Sequence, residues 1–445
     1  MSKVIAGMDL QELYSFASKQ ALLGLCFEGI ERLGKEYPEE LRLNPIGREL
    51  LMTWMGKAQQ IRRQNMKVNA VASKLFSMLR EDGLRCCILK GQGNALMYPN
   101  PYSRTPGDID VWIDASRERI MEYAQKKYEL GDDIRLQHLE TSLDGVPVEL
   151  HFFPCSMNNP IYHARLQKWF KRNADLQCSH IVGLPDGAGD IAIPTTAFNV
   201  VYQLTHLYHH FFDEGIGMRQ IIDYFLVVND FSKNVFLDYD FSNHPVPLSK
   251  EGSTFSPSPS SSGSGDVTAP SRCSEPLRSK DGGASKPSPD CAGWDRRGVS
   301  GDTSSASCSS ASGSSITSVR SAFTTDSSAS TALVVVQREL KYLGLWKFAG
   351  AVMYVLKEVL GLAEDKMIVP MDEKRGRLLL AEILDGGNFG RHFTKYAGFT
   401  HQSMGKKYFL KIWRNMHFVR YYPAEALSEP IFRTWHFFWR VKNKK

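Results

Sequence analysis

The sequence predicts an α+β protein in which a small mixed sheet lies between helical regions at both ends of the chain. Apolar residues recur at helical spacing through the first 82 residues. Short apolar segments then alternate with helical ones, and Asp144-Gly145 joins two segments as the turn of a β-hairpin does. Helical spacing returns after residue 190. This order of elements is typical of a small mixed sheet with helices packed around it.

The 445 residues are enough for two or three domains, and their composition changes along the chain. Between 245 and 330 Ser, Gly and Pro dominate and few apolar residues could enter a core, so we expect a disordered insertion there. The predicted regions are an N-terminal helical region over 1–82, a mixed α/β core over 83–190, a helical region over 191–244, the insertion over 245–330 and a C-terminal helical region over 331–445.

Individual elements follow from the same patterns. In the core we expect strands over 84–89 and 108–113, helices over 91–96 and 116–127, and a hairpin over 136–153. Beyond the core, one helical stretch is predicted over 194–229, and helix is predicted to resume near Thr331.

Charge and cysteine content narrow the class of protein. The net charge of +6 does not by itself indicate nucleic acid as a partner, which stays possible but unsupported. The basic C-terminal stretch could meet phosphate or anionic lipid, or could be a solvated face. None of the eight cysteines forms a C-x-x-C pair, so nothing resembles a zinc site or a disulfide framework. Without a signal sequence or an apolar run of ~18–20 residues, we expect a cytoplasmic protein with no transmembrane segment.

Two carboxylates, Asp108 and Asp110, stand two residues apart in an otherwise apolar predicted strand. Side chains alternate between the faces of a strand, so both are expected on one face, with Ile109 and Val111 on the other. Two like charges on a buried face repel each other, and a bound cation removes the conflict. Carboxylate oxygens are ligands that Mg²⁺ prefers, so the pair predicts a metal site.

The predicted hairpin supplies a third carboxylate, because Glu149 and His151 share one face of its second strand. The strand of Glu149 follows closely enough in sequence to neighbour that of Asp108 in one small sheet. Three convergent carboxylates can hold two Mg²⁺ ions about 3.5–4 Å apart, an arrangement that serves in-line phosphoryl transfer. Mn²⁺ is a possible replacement for Mg²⁺. Glu149 is also the predicted acceptor of the proton from the attacking hydroxyl.

A glycine at a strand-to-helix turn is expected to approach a phosphate. Gly91 stands where the first core strand turns into a helix, and a residue without a side chain lets backbone N–H groups reach an anion. Lys90 and Arg104 add positive charge near the same edge. Arg104 could instead form a loop salt bridge, and Lys90 could simply pair with a carboxylate.

These motifs together resemble the uncharacterised bacterial nucleotidyltransferase family of the DNA polymerase beta-like superfamily. The resemblance rests on Leu89-Lys90-Gly91, Arg104, Gly107-Asp108-Ile109-Asp110 and Val148-Glu149-Leu150-His151, and it extends to the later helices. It implies a minimal nucleotidyltransferase fold with Asp108, Asp110 and Glu149 as catalytic metal ligands. The nucleotide-binding residues that it implies are Lys90, Gly91, Gln92, Arg104 and Gly107. The superfamily usually has Gly-Ser or Gly-Gly at the glycine motif, where this chain has Gly91-Gln92.

The helices beyond the core could complete the binding site for an acceptor. We expect a possible acceptor cleft formed by His151, His206, Arg219 and Asp223. His206 could also belong to a polar patch, and Arg219 and Asp223, four residues apart, could form an ion pair within one helix.

Two functions remain open at this level. The first is a metal-dependent enzyme that moves a nucleoside monophosphate from a nucleoside triphosphate (NTP) to a hydroxyl group of a protein, an RNA or a small molecule. The second is a catalytically inactive protein of the same fold that binds nucleotide or a partner. The Gln at position 92, where a serine ligand is usual in the family, and the long insertion motivate the second.

Overall fold

A computed structural model describes residues 2–128, 130, 135–234, 325–392 and 404–443. The predicted disordered insertion lies outside the described residues as far as residue 324. Helix resumes at Thr325, six residues before the predicted start of the C-terminal region. Among the described helices, none is long and apolar enough to cross a membrane.

Five helices form the N-terminal region, as predicted. The last of them, α5, is a 34-residue helix whose apolar stripe is buried at Val68, Val71, Leu75 and Leu79. Gly83 follows two residues after the end of this helix and has a positive φ of 73° that glycine adopts without steric cost. The five helices are α1 (Ser2–Ala6), α2 (Leu10–Lys19), α3 (Leu23–Glu36), α4 (Pro38–Leu43) and α5 (Arg48–Glu81).

A four-stranded mixed sheet forms the core, in the order β1-β2-β4-β3. The β1–β2 and β3–β4 pairs are antiparallel, and the central β2–β4 pair is parallel. Asp144 and Gly145 both have positive φ, as a two-residue hairpin turn requires. The core elements are β1 (Cys86–Leu89), α6 (Gly91–Ala95), β2 (Ile109–Ile113), α7 (Arg117–Lys127), β3 (His138–Leu143) and β4 (Val146–His151).

The two faces of the sheet enter different clusters of buried side chains. Ile88, Val111 and Leu150 pack on one face with residues of α5 and α7. Cys87, Leu89 and Trp112 of the alternate positions belong to a larger cluster formed with the later helices. The alternation of side chains along each strand therefore covers both faces of the sheet.

Two elements of the core region were not predicted: the 20-residue helix α8 and the small β5–β6 hairpin. Trp169 and Phe170 of α8 pack near Trp112, so this helix covers the second face of the sheet. The bounds are α8 (Pro160–Ser179), β5 (Ile181–Gly183) and β6 (Asp190–Ala192).

The remaining helices surround the second face of the sheet and contribute most of the larger cluster. The single helical stretch predicted over 194–229 is two helices, because the chain breaks at Glu214–Gly217, where Gly215 has a φ of 107°. The bounds are α9 (Thr196–Asp213), α10 (Met218–Asn234), α11 (Thr325–Tyr342), α12 (Trp346–Leu360), α13 (Glu373–Gly386), α14 (Met404–Met416) and α15 (Pro423–Asn443). The predicted α+β architecture, a small mixed sheet between helical regions, is confirmed.

Candidate active site

The register of the parallel pair brings two predicted carboxylates together. Asp110 on β2 is the direct partner of Glu149 on β4. Asp110 is buried, with 5% of its surface exposed, and Glu149 is half-buried. Asp108 differs from the prediction, because β2 begins at Ile109 and leaves Asp108 exposed just before the strand. The buried pair of like charges is therefore Asp110 with Glu149, and Asp108 lies outside it.

His151 connects the two paired carboxylates. Its Nε2 lies 3.0 Å from Asp110 Oδ1 and 3.1 Å from Glu149 Oε2. Burial alone would lower the pKa of His151, but the hydrogen bonds to both carboxylates outweigh burial and raise the pKa to about 9. His151 was predicted to line an acceptor cleft. Instead it is 2% exposed, and its Nε2 interacts with the two carboxylates.

Lys90 reaches the same carboxylate from β1. Its Nζ lies 3.1 Å from Asp110 Oδ2 and 2.8 Å from His206 Nε2. Burial lowers the pKa of Lys90, but the carboxylates of Asp110, Asp108 and Glu149 raise it above its usual value. The backbone of Lys90 has a φ of 51°, and a side-chain-bearing residue in this region is uncommon and clusters at functional sites.

A cleft opens beside these groups, between the start of α6, the segment before β2 and the helices α9 and α10. Its cavity volume is about 60 Å³, well below the ~300–1,000 Å³ of small-molecule pockets, so only part of a ligand would fit inside it. The predicted residues that line it are Lys90, Gly91, Arg104, Gly107, Asp108, Asp110, His206, Arg219 and Asp223.

The charge of Asp108 at this cleft is controlled by its neighbour. The negative charge of Asp110, followed by partial desolvation of the Asp108 carboxyl beside the folded chain, raises the pKa of Asp108 to about 6, although its surface stays exposed. A cation placed among these carboxylates would reverse this effect, because it favours their charged forms.

Arg104 lines the cleft but is already paired. Its Nε and Nη2 each lie 2.8 Å from an oxygen of Asp223, and Tyr98 donates to the same carboxylate at 2.7 Å. The pair is almost fully buried. The predicted ion pair between Arg219 and Asp223 is wrong, since the carboxylate is taken by Arg104, which lies 119 residues away in sequence.

The guanidinium group of Arg219 makes fewer hydrogen bonds than that of Arg104. One of its nitrogens donates to the Thr105 carbonyl at 2.9 Å, and its buried Nε has no hydrogen-bond partner among the described residues. Burial and the charge of Arg104 lower its pKa below the usual value. Arg219 therefore offers the cleft a cation with an unused donor.

Gln92 does not reach the cleft with its side chain. It is 3% exposed, and its amide donates to Asn69 of α5. Because packing of α6 on α5 already occupies this side chain, the predicted nucleotide contact of Gln92 would have to use its backbone.

His138 belongs to the site and was missed. It is the hairpin partner of His151, and its Nδ1 lies 3.3 Å from Glu149 Oε2. In the described part of the chain, the three side chains whose ligand atoms all lie within 4.8 Å of one another are His138, Glu149 and His151, a group that does not include Asp108 or Asp110. The turn at Asp144-Gly145 was the signal, since counting outward from it pairs position 138 with position 151.

Comparisons with known proteins give one family match and one weak structural match. The profile of a family described as "Uncharacterised nucleotidyltransferase" matches residues 6–242, more than half of the chain. An antigenic nucleotidyltransferase-like protein from Paracoccidioides brasiliensis is 17% identical over 36% of this chain and 75% of that one. The TM-score of that match is 0.25, which does not establish a shared fold. No curated protein matches the chain.

Proposed function

Because the chain belongs to the family of uncharacterised nucleotidyltransferases, we propose that it is a metal-dependent enzyme that moves a nucleoside monophosphate from an NTP to a hydroxyl acceptor. The observation that carries the proposal is the register of β2 with β4, which sets Glu149 opposite Asp110, a residue that lines the cleft. The acceptor is a hydroxyl group of a protein, an RNA or a small molecule. A cytoplasmic location stays a prediction.

Three carboxylates at or beside the cleft offer the oxygen ligands that a hard divalent cation prefers. Asp110 and Glu149 each approach the same atom, His151 Nε2, within 3.1 Å, so the two carboxylates converge on a small volume. Asp108 adds an exposed carboxylate at the mouth. We assign Asp108, Asp110 and Glu149 as the ligands of Mg²⁺, two ions in the full site, with Mn²⁺ as a replacement. When bound, these ions activate the attacking hydroxyl and neutralise charge on the leaving pyrophosphate.

The chain's own cations and backbone hold the triphosphate in this proposal. Gly91 and Gly107 line the cleft without side chains, which leaves the backbone accessible to phosphate oxygens. Lys90 supplies a positive charge at the same edge. The Nε of Arg219 is a free donor for a phosphate oxygen. Arg104 instead pairs with Asp223 and forms part of the cleft lining.

The proton of the acceptor hydroxyl needs a carboxylate that faces the cleft. Glu149, to which the sequence assigned this role, is engaged by two histidines and is not among the cleft-lining residues. Asp108 lines the cleft and is exposed, so we assign the proton transfer to Asp108.

One observation favours the second function, a protein that binds nucleotide without transferring it. His151 and Lys90 already neutralise Asp110 from two sides, and no hydroxyl side chain stands at position 92. In that case the carboxylates would be structural partners of these cations, and nucleotide would bind equally well with and without Mg²⁺.

Transfer of label from each of the four α-³²P-labelled NTPs, with Mg²⁺ or Mn²⁺ and cell extract, tests the proposal. Wild type is expected to label an acceptor in a metal-dependent way. Asp110→Asn is expected to lower the rate at least about 100-fold, the effect of removing one group that stabilises transition-state charge.

The matched control is Asp144→Asn, which changes an exposed carboxylate in the hairpin turn of the same sheet. It is expected to retain the wild-type rate. Asp108→Asn repeats the test at an exposed position, where the substitution is not expected to destabilise the fold. Equal labelling by wild type and both site variants would reject the enzyme and leave the binding protein.

A further inference from the structure

We propose that His138, Glu149 and His151 form a binding site for a transition-metal ion of the Zn²⁺ class. This site differs in ligand chemistry from the all-oxygen Mg²⁺ site proposed above, with which it shares Glu149 and a possible fourth ligand, Asp110. The inference does not rest on nucleotidyl transfer, since it follows from the three side chains themselves.

The hairpin brings the three ligands together. His138 and His151 are direct partners across the β3–β4 pair, and Glu149 lies two residues from His151 on the same face. Glu149 Oε2 lies 3.3 Å from His138 Nδ1 and 3.1 Å from His151 Nε2. Ligand atoms on a tetrahedral Zn²⁺ ion, each at about 2.0–2.1 Å, are about 3.3–3.4 Å apart. The distances around Glu149 are therefore close to those of a ligated ion.

His138 provides an independent indication of a ligand. It is 8% exposed, yet neither of its ring nitrogens makes a hydrogen bond within the described part of the chain. Its Nδ1 meets Glu149 Oε2 at 3.3 Å without hydrogen-bond geometry, an imperfect contact that a shared metal ion would improve. The other ring nitrogen lies 3.8 Å from Glu140 Oε1, a carboxylate of the kind that orients metal-bound histidines.

The donor set selects the class of ion. Two imidazoles and one carboxylate suit Zn²⁺ and related transition ions, whereas Mg²⁺ prefers oxygen ligands alone. Asp110 Oδ1 lies 3.0 Å from His151 Nε2 and offers a fourth ligand, although Lys90 holds the other oxygen of this carboxylate. Three protein ligands plus one weaker or exchangeable position are typical of zinc sites that are not purely structural.

Zn²⁺ titration of the metal-free full chain, in competition with a chromogenic chelator and without nucleotide, measures the site directly. Wild type is expected to bind one Zn²⁺ per chain. His138→Gln is expected to weaken binding at least about tenfold. His417→Gln is the matched control, because His417 is exposed and its ring makes local contacts with the carbonyl and the ring of Trp413. It is expected to bind as wild type does.

X-ray absorption of Zn²⁺-loaded wild type identifies the ligands without any variant. The expected signal is nitrogen and oxygen at about 2.0–2.1 Å with imidazole scattering, and sulfur at about 2.3 Å would overturn the proposal by assigning the ion to cysteine. Equal affinity of wild type and His138→Gln, or no stoichiometric binding, would also overturn it.

The two proposals fail separately. Asp108→Asn lies outside the histidine site and is expected to bind Zn²⁺ normally, whatever its transfer activity. Loss of transfer without loss of Zn²⁺ binding therefore concerns only the proposed reaction.

Discussion

The two faces of the four-stranded sheet have the same strands but opposite roles. On the first face Ile88, Val111 and Leu150 are fully buried against α5 and α7 and carry no polar atoms in their side chains. On the second face the same strands present Asp110 and Glu149. Because side chains alternate along each strand, one face of the sheet provides core packing and the other carries the charged side chains of the candidate site. Substitutions on the two faces should therefore lower stability for different reasons. On the first face they remove packing contacts, and on the second they leave a buried charge unpaired.

The cleft beside the charged face is expected to show the largest loss of stability when one partner of its buried ion pair is removed. Arg104→Leu leaves Asp223 buried without its cation, which should lower the free energy of unfolding by about 3–5 kcal/mol. Urea unfolding followed by circular dichroism measures the loss. The double variant Arg104→Leu/Asp223→Leu is expected to recover much of it, because no unpaired charge remains. A double variant as unstable as the sum of the two single ones would contradict a charge-based account.

Removal of methyl groups from the apolar side is expected to cost somewhat less and to leave the site intact. Leu150→Ala creates a cavity beneath the sheet and should lower the free energy of unfolding by about 3 kcal/mol. Because Leu150 points away from the carboxylates, Zn²⁺ affinity and nucleotide transfer at low temperature should match wild type. A large loss of either at a temperature where the variant is folded would show that the faces are not separable.

An effect no larger than this is a dependence of stability on pH that arises from the charged side alone. The pKa of His151 is about 9 in the folded protein, against the usual histidine value of 6.5. The folded state therefore binds this proton more tightly. The resulting stabilisation is complete below pH 6.5, falls as the pH rises towards 9 and is absent above it.

The expected loss from pH 6.5 to 9 in metal-free protein is about 3 kcal/mol. His151→Gln should remove this part of the pH dependence, and Leu150→Ala should retain it. Identical pH profiles of wild type and His151→Gln would disprove the role of the two hydrogen bonds.

Local patterns in the sequence were sufficient for most of the fold. Alternation along the strands and the Asp144-Gly145 turn predicted the sheet and the approach of Glu149 to the strand of Asp110. The same turn fixes the partner of every hairpin residue, so His138 could have been found by counting. The first residue of β2 was harder to predict from the sequence. A shift of one residue at this end of the strand decides whether Asp108 is buried or exposed.

Contacts between distant segments were out of reach of sequence reasoning. The pairing of Arg104 with Asp223 joins a loop before β2 to a helix 119 residues later, and the local i, i+4 spacing suggested the wrong partner. Gln92 likewise looked like part of a phosphate motif, but its contact with Asn69 depends on how α6 packs on α5. Helix packing, rather than any local pattern, determined both outcomes.

Binding of Mn²⁺ in the presence of a non-hydrolysable NTP, followed by electron paramagnetic resonance, tests the central claim that the charged face of the sheet is a metal site for nucleotidyl transfer. The account predicts tight Mn²⁺ binding by wild type and by Asp144→Asn, and at least about tenfold weaker binding by Asp110→Asn and Glu149→Gln. Equal Mn²⁺ affinity in all four proteins would contradict it.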